Sequence, residues 1–303
     1  MTKRFGSTIA VDNVSMALTG EINLLLGSNG SGKSTIINLL AGLTYPNKGI
    51  LRLDGSEYES GNREAWRSGT ETLRKRSRFW LDKPGLPMSL TGRELLKFEW
   101  HEEDDHSFAS FERLAKLFDI SIDLDRPISG YSSGMQQKLG IIATLLGRPR
   151  FVVWDEPTAA LDATSRATVA RLAKEYTSQG TKFLVTSHIP GDFEGVADWI
   201  GLMRLGRLLK AGNIAQLSKS ESNDYVIHTD RPSQIAGKLV ELGMATSVSV
   251  EKGNGYGDIT VKPTKEFDEA RVARLSREEF GATQFSVSRR QKSITELYME
   301  ALA

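Results

Sequence analysis

The sequence contains no cysteine. That excludes disulfides and thiolate-held zinc, and it is compatible with a reducing compartment. Long apolar runs are missing too: the longest stretch, Leu139 to Gly147, is bounded by Lys138 and Arg148 and falls short of the roughly 20 residues that cross a bilayer. No apolar core follows Lys3 and Arg4, so no signal peptide is expected at the N-terminus. Excess charge of one sign is scarce, with 39 Lys and Arg against 38 Asp and Glu for a net charge of +1, and this balance argues against a nucleic-acid partner. What remains, 303 residues at 39% hydrophobic content, suits a soluble protein of two domains. The chain is expected in the cytoplasm, with any membrane path supplied by another polypeptide.

The most specific motif is the loop Gly27-Ser28-Asn29-Gly30-Ser31-Gly32-Lys33-Ser34, which has the spacing G-x-x-x-x-G-K-S of a phosphate loop. It follows the apolar Ile22, Leu24, Leu25 and Leu26 and precedes the helical pattern Ile36, Ile37, Leu39, Leu40, the strand-loop-helix setting that the motif requires. Glycines 27, 30 and 32 let successive backbone N–H groups turn inward toward phosphate oxygens, with the positive end of a helix behind them. Lys33 adds a point charge for the β- and γ-phosphates. Ser34 offers Mg²⁺ an oxygen, and Thr35 is a second hydroxyl at the helix start. The alternative, a glycine-rich turn that merely caps a helix, weakens as further motifs accumulate.

Phe151-Val152-Val153-Trp154 reads as a buried strand that ends in Asp155 and Glu156. Asp155 suits a second-shell or water-mediated hold on Mg²⁺, and Glu156 suits a residue that orients and polarises an attacking water. Simple solvation of two acids at a strand end is the competing account, and the continuation Pro157-Thr158-Ala159-Ala160-Leu161-Asp162 argues against it.

These segments, with Tyr131-Ser132-Ser133-Gly134-Met135 between them, resemble the nucleotide-binding subunit of an ABC transporter over about the first two hundred residues. The resemblance implies ATP and Mg²⁺ as cofactors, ATP hydrolysis, and a head-to-tail dimer in which Ser132, Ser133, Gly134 and Asp162 of one copy contact the nucleotide of the other. Ser133 stands where the family signature usually has glycine and Met135 where it usually has glutamine, a variant familiar from exporter subunits. Taken alone, Ser132 is an ordinary helix N-cap. Thr186-Ser187-His188 after the strand Lys182–Val185 matches the family's switch histidine, so His188 would bond the γ-phosphate. Phe5 stands where the family stacks an aromatic on adenine, with a plain core aromatic as the alternative. Asp82 aligns with the usual glutamine of the loop ahead of the helical subdomain and could approach Mg²⁺ or the water, with shorter reach and added charge. The family's first strand is expected to be clipped or missing, because only Met1 and Thr2 precede Lys3.

The fold expected is α/β: a P-loop NTPase core (residues 1–217) with a helical subdomain at about 91–147, and a small C-terminal α+β domain (218–303). Residues between about 55 and 91 read only as a charged region. Glu94, Leu95, Leu96, Phe98 and Trp100 begin the helical part, and Phe108, Phe111, Leu114, Ala115, Leu117 and Phe118 continue it at helical spacing; the aromatics among them are expected to pack in the core. The run His101 to His106 tempts a metal-site reading, but a solvated acidic loop is the expectation. In the C-terminal part the pattern is strand Tyr225 to Thr229, helix Pro232 to Leu242, strands Thr246 to Glu251 and Asp258 to Val261, helix Lys265 to Phe280, strand Thr283 to Ser288, and helix Ile294 to Leu302. The order βαββαβ suggests a ferredoxin-like sandwich. The ending around Ser293, Glu296, Leu297 and Met299 resembles ATPase subunits of the type-2 exporter branch. The combined expectation is an ATPase subunit peripheral to the cytoplasmic membrane face, partnered by a second ABC domain and by integral membrane permease subunits. A soluble regulatory ATPase without a permease and a non-hydrolysing binding module are the rival classes.

Overall fold

The computed structural model describes residues 1–81, 85–99, 107–147, 149–219, 223–253 and 255–302. Asp82 and the acidic run 101–106 lie outside the described residues. The chain forms two compact units, Met1–Ile214 with Ile294–Ala303, and Ala215–Ser293. The division differs from the expected boundary between 217 and 218 in two respects: the first unit's main stretch ends at Ile214, and the terminal helix belongs to the first unit.

The first unit opens with β1 (Lys3–Phe5), which pairs antiparallel with β2 (Thr8–Val11). β3 (Ile22–Gly27) runs into α1 (Lys33–Leu40). The stretch read only as charged contains a hairpin, β4 (Ile50–Leu53) with β5 (Ser56–Glu59), then α2 (Arg63–Arg76) and β6 (Ser77–Trp80). Helix α2 starts where the Asn62 side chain accepts from the Ala65 N–H at 3.0 Å, satisfying a donor that a helix start leaves open. It buries Trp66 completely among its charges. Helices α3 (Gly92–Glu99), α4 (Ser107–Leu117) and α5 (Ser133–Leu145) follow. Then come β7 (Phe151–Asp155), α6 (Ala163–Thr177), β8 (Lys182–Ser187), β9 (Trp199–Arg204) and β10 (Arg207–Asn213), and the helix α7 (Ile214–Lys219) leads out of the first unit into the second.

Among the described residues the central sheet has the order β10-β9-β3-β8-β7-β6, parallel except for the antiparallel edge strand β10. Every residue of β3 is buried, as a strand covered on both faces requires, and this explains the unbroken apolar run that marked it. The register sets Leu26 beside Ser187 and Asp155 beside Thr186. The ends of three parallel strands, where open α/β sheets bind ligands, therefore gather the phosphate loop, the paired acids and the histidine. Helix α5 comes close to the sheet at Gly140, where a Cβ would lie 2.0 Å from the Trp80 ring. Phe111 and Phe118 are buried as expected, together with Leu95, Leu96, Leu114 and Ala115, but Phe98 is exposed; Trp100 lies outside the described residues.

The second unit contains β11 (Tyr225–Thr229), α8 (Pro232–Glu241), β12 (Ala245–Lys252), β13 (Gly257–Pro263), α9 (Glu269–Glu278) and β14 (Phe285–Arg289). Its antiparallel sheet has the order β12-β13-β11-β14. Ile227, Ile235, Leu239, Met244, Ile259, Val261 and Val272 form a core of its own. Helix α9 begins later than its pattern indicated, because the Asp268 side chain accepts from Arg271 N–H at 2.6 Å and sets the start there.

Helix α10 (Ile294–Leu302) closes the first unit. It buries Ile294 and Leu297 and packs on β9 and on the 3-10 turn Pro190–Phe193.

Candidate functional site

The phosphate loop has the backbone that its glycines implied. Gly30 and Gly32 have φ of 78° and 104°, a region that residues with a Cβ rarely adopt. At Gly32 a Cβ would also lie 2.4 Å from the Ala10 carbonyl oxygen, and at Gly27 it would lie 2.4 Å from Ser31 Oγ. Ser28, Asn29 and Gly30 are exposed at the loop tip, as is Ser34 on the first turn of α1, while Thr35 is half-buried. Ser31 Oγ is buried and has no hydrogen-bond partner among the described residues. An orphaned hydroxyl in a loop of this shape is what a phosphate oxygen would satisfy.

Lys33 is 5% exposed, and its ammonium is held by Gly27 O at 2.7 Å, Ser28 O at 3.3 Å and Glu156 Oε1 at 3.1 Å. The second oxygen of Glu156, Oε2, lies 2.6 Å from His188 Nδ1. One carboxylate thus bridges the loop lysine and the histidine. Glu156 has φ of 51°, and its N–H donates to Thr186 Oγ1 at 2.9 Å. The same hydroxyl donates to Asp155 Oδ1 at 2.5 Å. Thr186 therefore holds both acids from the neighbouring strand. Gln137 adds a further hold, its side-chain amide donating to the carbonyls of Glu156 and Pro157 at 3.3 and 3.0 Å. Neither Thr186 nor Gln137 had a role in the sequence reading. Thr186 stands in the segment ahead of His188 and Gln137 two residues after Met135, but their use depends on register and on a crossing helix that no spacing shows.

Ser132 and Ser133 are exposed at the start of α5, and Ser132 Oγ accepts from Met135 N–H at 3.2 Å as a helix cap. Gly134 passes the loop after β7 so closely that a Cβ would lie 2.9 Å from Ala160 O. Asp162 caps α6, accepting from Ser165 N–H and from Ser165 Oγ, both at 2.8 Å. Those bonds, from the backbone first and the side chain second, hold its carboxyl below the usual carboxylate range. Phe5 is 52% exposed, with Lys3 Nζ 4.7 Å from its ring centre, so the core-aromatic alternative does not hold. Sequence and structure together bring Gly27 to Ser34, Asp155, Glu156 and His188 to one sheet edge. Asp82 falls outside the described residues.

The donor set fits a magnesium nucleotide. Ser34 contributes an exposed hydroxyl and Asp155 a buried carboxylate, both hard oxygens. Mg²⁺ is commonly held by one or two protein oxygens together with the phosphates rather than by a full protein cage.

The family model for ABC transporters matches residues 11–159. The bacitracin transport ATP-binding protein BcrA of Enterococcus faecalis is 30% identical over 246 residues, covering 80% of this chain and 76% of that protein. The chain belongs to the ABC transporter ATP-binding proteins. The bacitracin transport ATP-binding protein BcrA of Bacillus licheniformis is 27% identical over 289 residues, covering 86% of this chain and 91% of that protein. Among solved structures, an ATP-binding subunit of an ABC transporter superimposes with a TM-score of 0.60 at 25% identity, over 72% of this chain and 89% of that one. As a member of this family the ABC protein described here is an ATPase of the kind that powers transport.

Proposed function

We propose that this ABC ATPase binds ATP between two copies of itself and drives a separate integral membrane permease, in the direction of export, from the cytoplasmic face of the membrane. The observation that carries the reading is the chain Lys33–Glu156–His188 beside the orphaned hydroxyl of Ser31. A single ammonium cannot serve both Glu156 and a phosphate at full strength. A nucleotide, with several charged oxygens, draws Lys33 away from Oε1. Glu156 remains tethered through Oε2 by His188, and its released oxygen is the base that orients water in line with the γ-phosphate. The backbone N–H groups of residues 28 to 33 and the Ser31 hydroxyl stabilise the phosphate charge, with the N-terminus of α1 behind them. Ser34 and, in the second shell or through water, Asp155 would hold Mg²⁺, which would neutralise phosphate charge. Phe5 offers its exposed ring to adenine. Asp82 is the candidate for the loop position between nucleotide and permease.

Ser132, Ser133 and Gly134 at the start of α5, with Asp162, are assigned to the nucleotide of the second copy. The exposed hydroxyls suit that role, and a dimeric bacterial ABC transporter cassette shares the fold with a TM-score of 0.58. Transport is supported by relatives named for bacitracin transport and by a lantibiotic transport ATP-binding protein of Streptococcus pyogenes, 29% identical over 210 residues, covering 69% of this chain and 86% of that protein, and the export direction rests on the likeness of the Gly134-Met135 signature and of the C-terminal ending to exporter subunits. No described helix is long and apolar enough to cross a membrane, and the membrane path is assigned to the permease. The test is gentle solubilisation of membranes containing the tagged chain, followed by mass spectrometry of what co-purifies. A polytopic partner in a two-to-two complex is expected. Recovery of an active ATPase with no membrane companion would replace the permease reading with that of a free-standing ATPase.

A further inference from the structure

We propose that Glu194 is a positioning residue for His188, and that through it the terminal helix α10 sets the rate of ATP turnover. This rests on the role given to His188 above. The backbone around His188 is pinned closely: the buried Ser187 hydroxyl accepts from Ile189 N–H at 2.9 Å and donates to Ile189 O at 3.2 Å. The chain then enters the turn Pro190–Phe193, where Phe193 is fully buried and Asp192 pairs with Arg166 of α6 at 3.3 Å. Next stands Glu194. Its carboxylate receives the N–H of Ile294 at 2.9 and 3.2 Å, which satisfies an open donor at the start of α10 and places negative charge at the positive end of that helix. At the far end of α10, Arg204 donates to Leu302 O at 2.8 Å.

Apolar burial of Ile294 and Leu297 would keep α10 near the core without this carboxylate. What the carboxylate adds is direction, because it sets the backbone leaving the histidine turn in register with a particular N–H. Ile214, the last residue of the first unit before the chain departs, is anchored on the same stretch through Asp198 O at 2.9 Å. The stretch Glu194–Asp198 therefore receives both the departing and the returning chain. His188, just ahead of it, faces Glu156 at 2.6 Å, where a small shift changes the bond that holds the base.

The experiment is steady-state ATPase kinetics of the full-length chain with Glu194→Ala, Glu194→Gln, His188→Ala and the double variant Glu194→Ala with His188→Ala. Glu194→Ala is expected to lower kcat about five- to twentyfold while KM for ATP changes by no more than about twofold. Glu194→Gln keeps an acceptor for the Ile294 N–H and is expected to retain most of the wild-type kcat. In the His188→Ala background the Glu194→Ala change should have no further effect, a non-additivity that general loss of stability does not produce. Wild-type kcat in Glu194→Ala, or losses that multiply in the double variant, would overturn the proposal. Wild-type kcat in His188→Ala would overturn the role of His188 itself, and this inference with it.

Discussion

At the scale of single residues, the site turns on one carboxylate with two partners. Glu156 touches Lys33 through one oxygen and His188 through the other, so its neutralisation affects the base while leaving the shape of the site intact. Glu156→Gln is expected to lower kcat by about a hundredfold to a thousandfold and to keep ATP affinity, measured by turnover and by equilibrium binding of labelled ATP. Turnover near wild type would remove Glu156 from its role. The residues of this site were largely legible in the sequence, because phosphate binding needs glycine at positions of positive φ and a cation next to them, and such needs leave a fixed spacing. The partner that Lys33 takes in the structure was not legible: the acid lies more than a hundred residues away in the chain, and only the parallel register brings it within 3.1 Å.

At the scale of elements, α5 is joined to β7 by one buried bond. Trp154 Nε1 donates to Thr144 Oγ1 at 2.8 Å, and both side chains are buried. Thr144→Val preserves shape but leaves the indole N–H without an acceptor, at an expected cost of about 1–3 kcal/mol, read from chemical denaturation. Thr144→Ser should recover most of the loss. A second element-scale expectation concerns α6. Asp162 is held below the ordinary carboxylate range by its bonds to Ser165, so its cap stabilises the folded state at pH above the unfolded carboxylate value of about 3.9. That contribution is lost as the pH falls through the folded value. Asp162→Ala should therefore lower Tm at neutral pH, and the difference from wild type should shrink as the pH is taken down below the unfolded carboxylate value. A constant difference through that acidification would count against the cap. Helix α2 shows the opposite case for legibility: its charged residues hid a helix whose single buried indole, Trp66, sits amid Arg and Glu.

At the scale of the whole molecule, the proposed shared site requires a second copy to cover the exposed signature at the start of α5 and the exposed loop tip. The Glu156→Gln variant, bound to ATP and slow to hydrolyse it, is expected to shift to a dimer on size-exclusion chromatography, and to return to the monomer when ATP is replaced by ADP. A monomer at saturating ATP would contradict the shared-site reading. The second unit was legible as alternating strand and helix segments, since a small antiparallel sheet packed on helices repeats its period of two with few exceptions. Its end was not. Helix α10 has the same apolar spacing wherever it docks, and what places it with the first unit is burial of Ile294 and Leu297 beside β9 and the turn Pro190–Phe193.

The sequence by itself determined the chemistry: the phosphate loop, the acids after an apolar strand, the capping serine and the histidine are each specified by local requirements of backbone conformation, charge and hydrogen bonding. Tertiary structure alone decided the connections among them. Thr186 under both acids, Gln137 on the carbonyls beyond them, Lys33 on Glu156 and Glu194 on α10 are all contacts between residues far apart in the chain. Such contacts depend on strand register and helix docking, which buried apolar surface drives without regard to direction, so no local spacing could announce them.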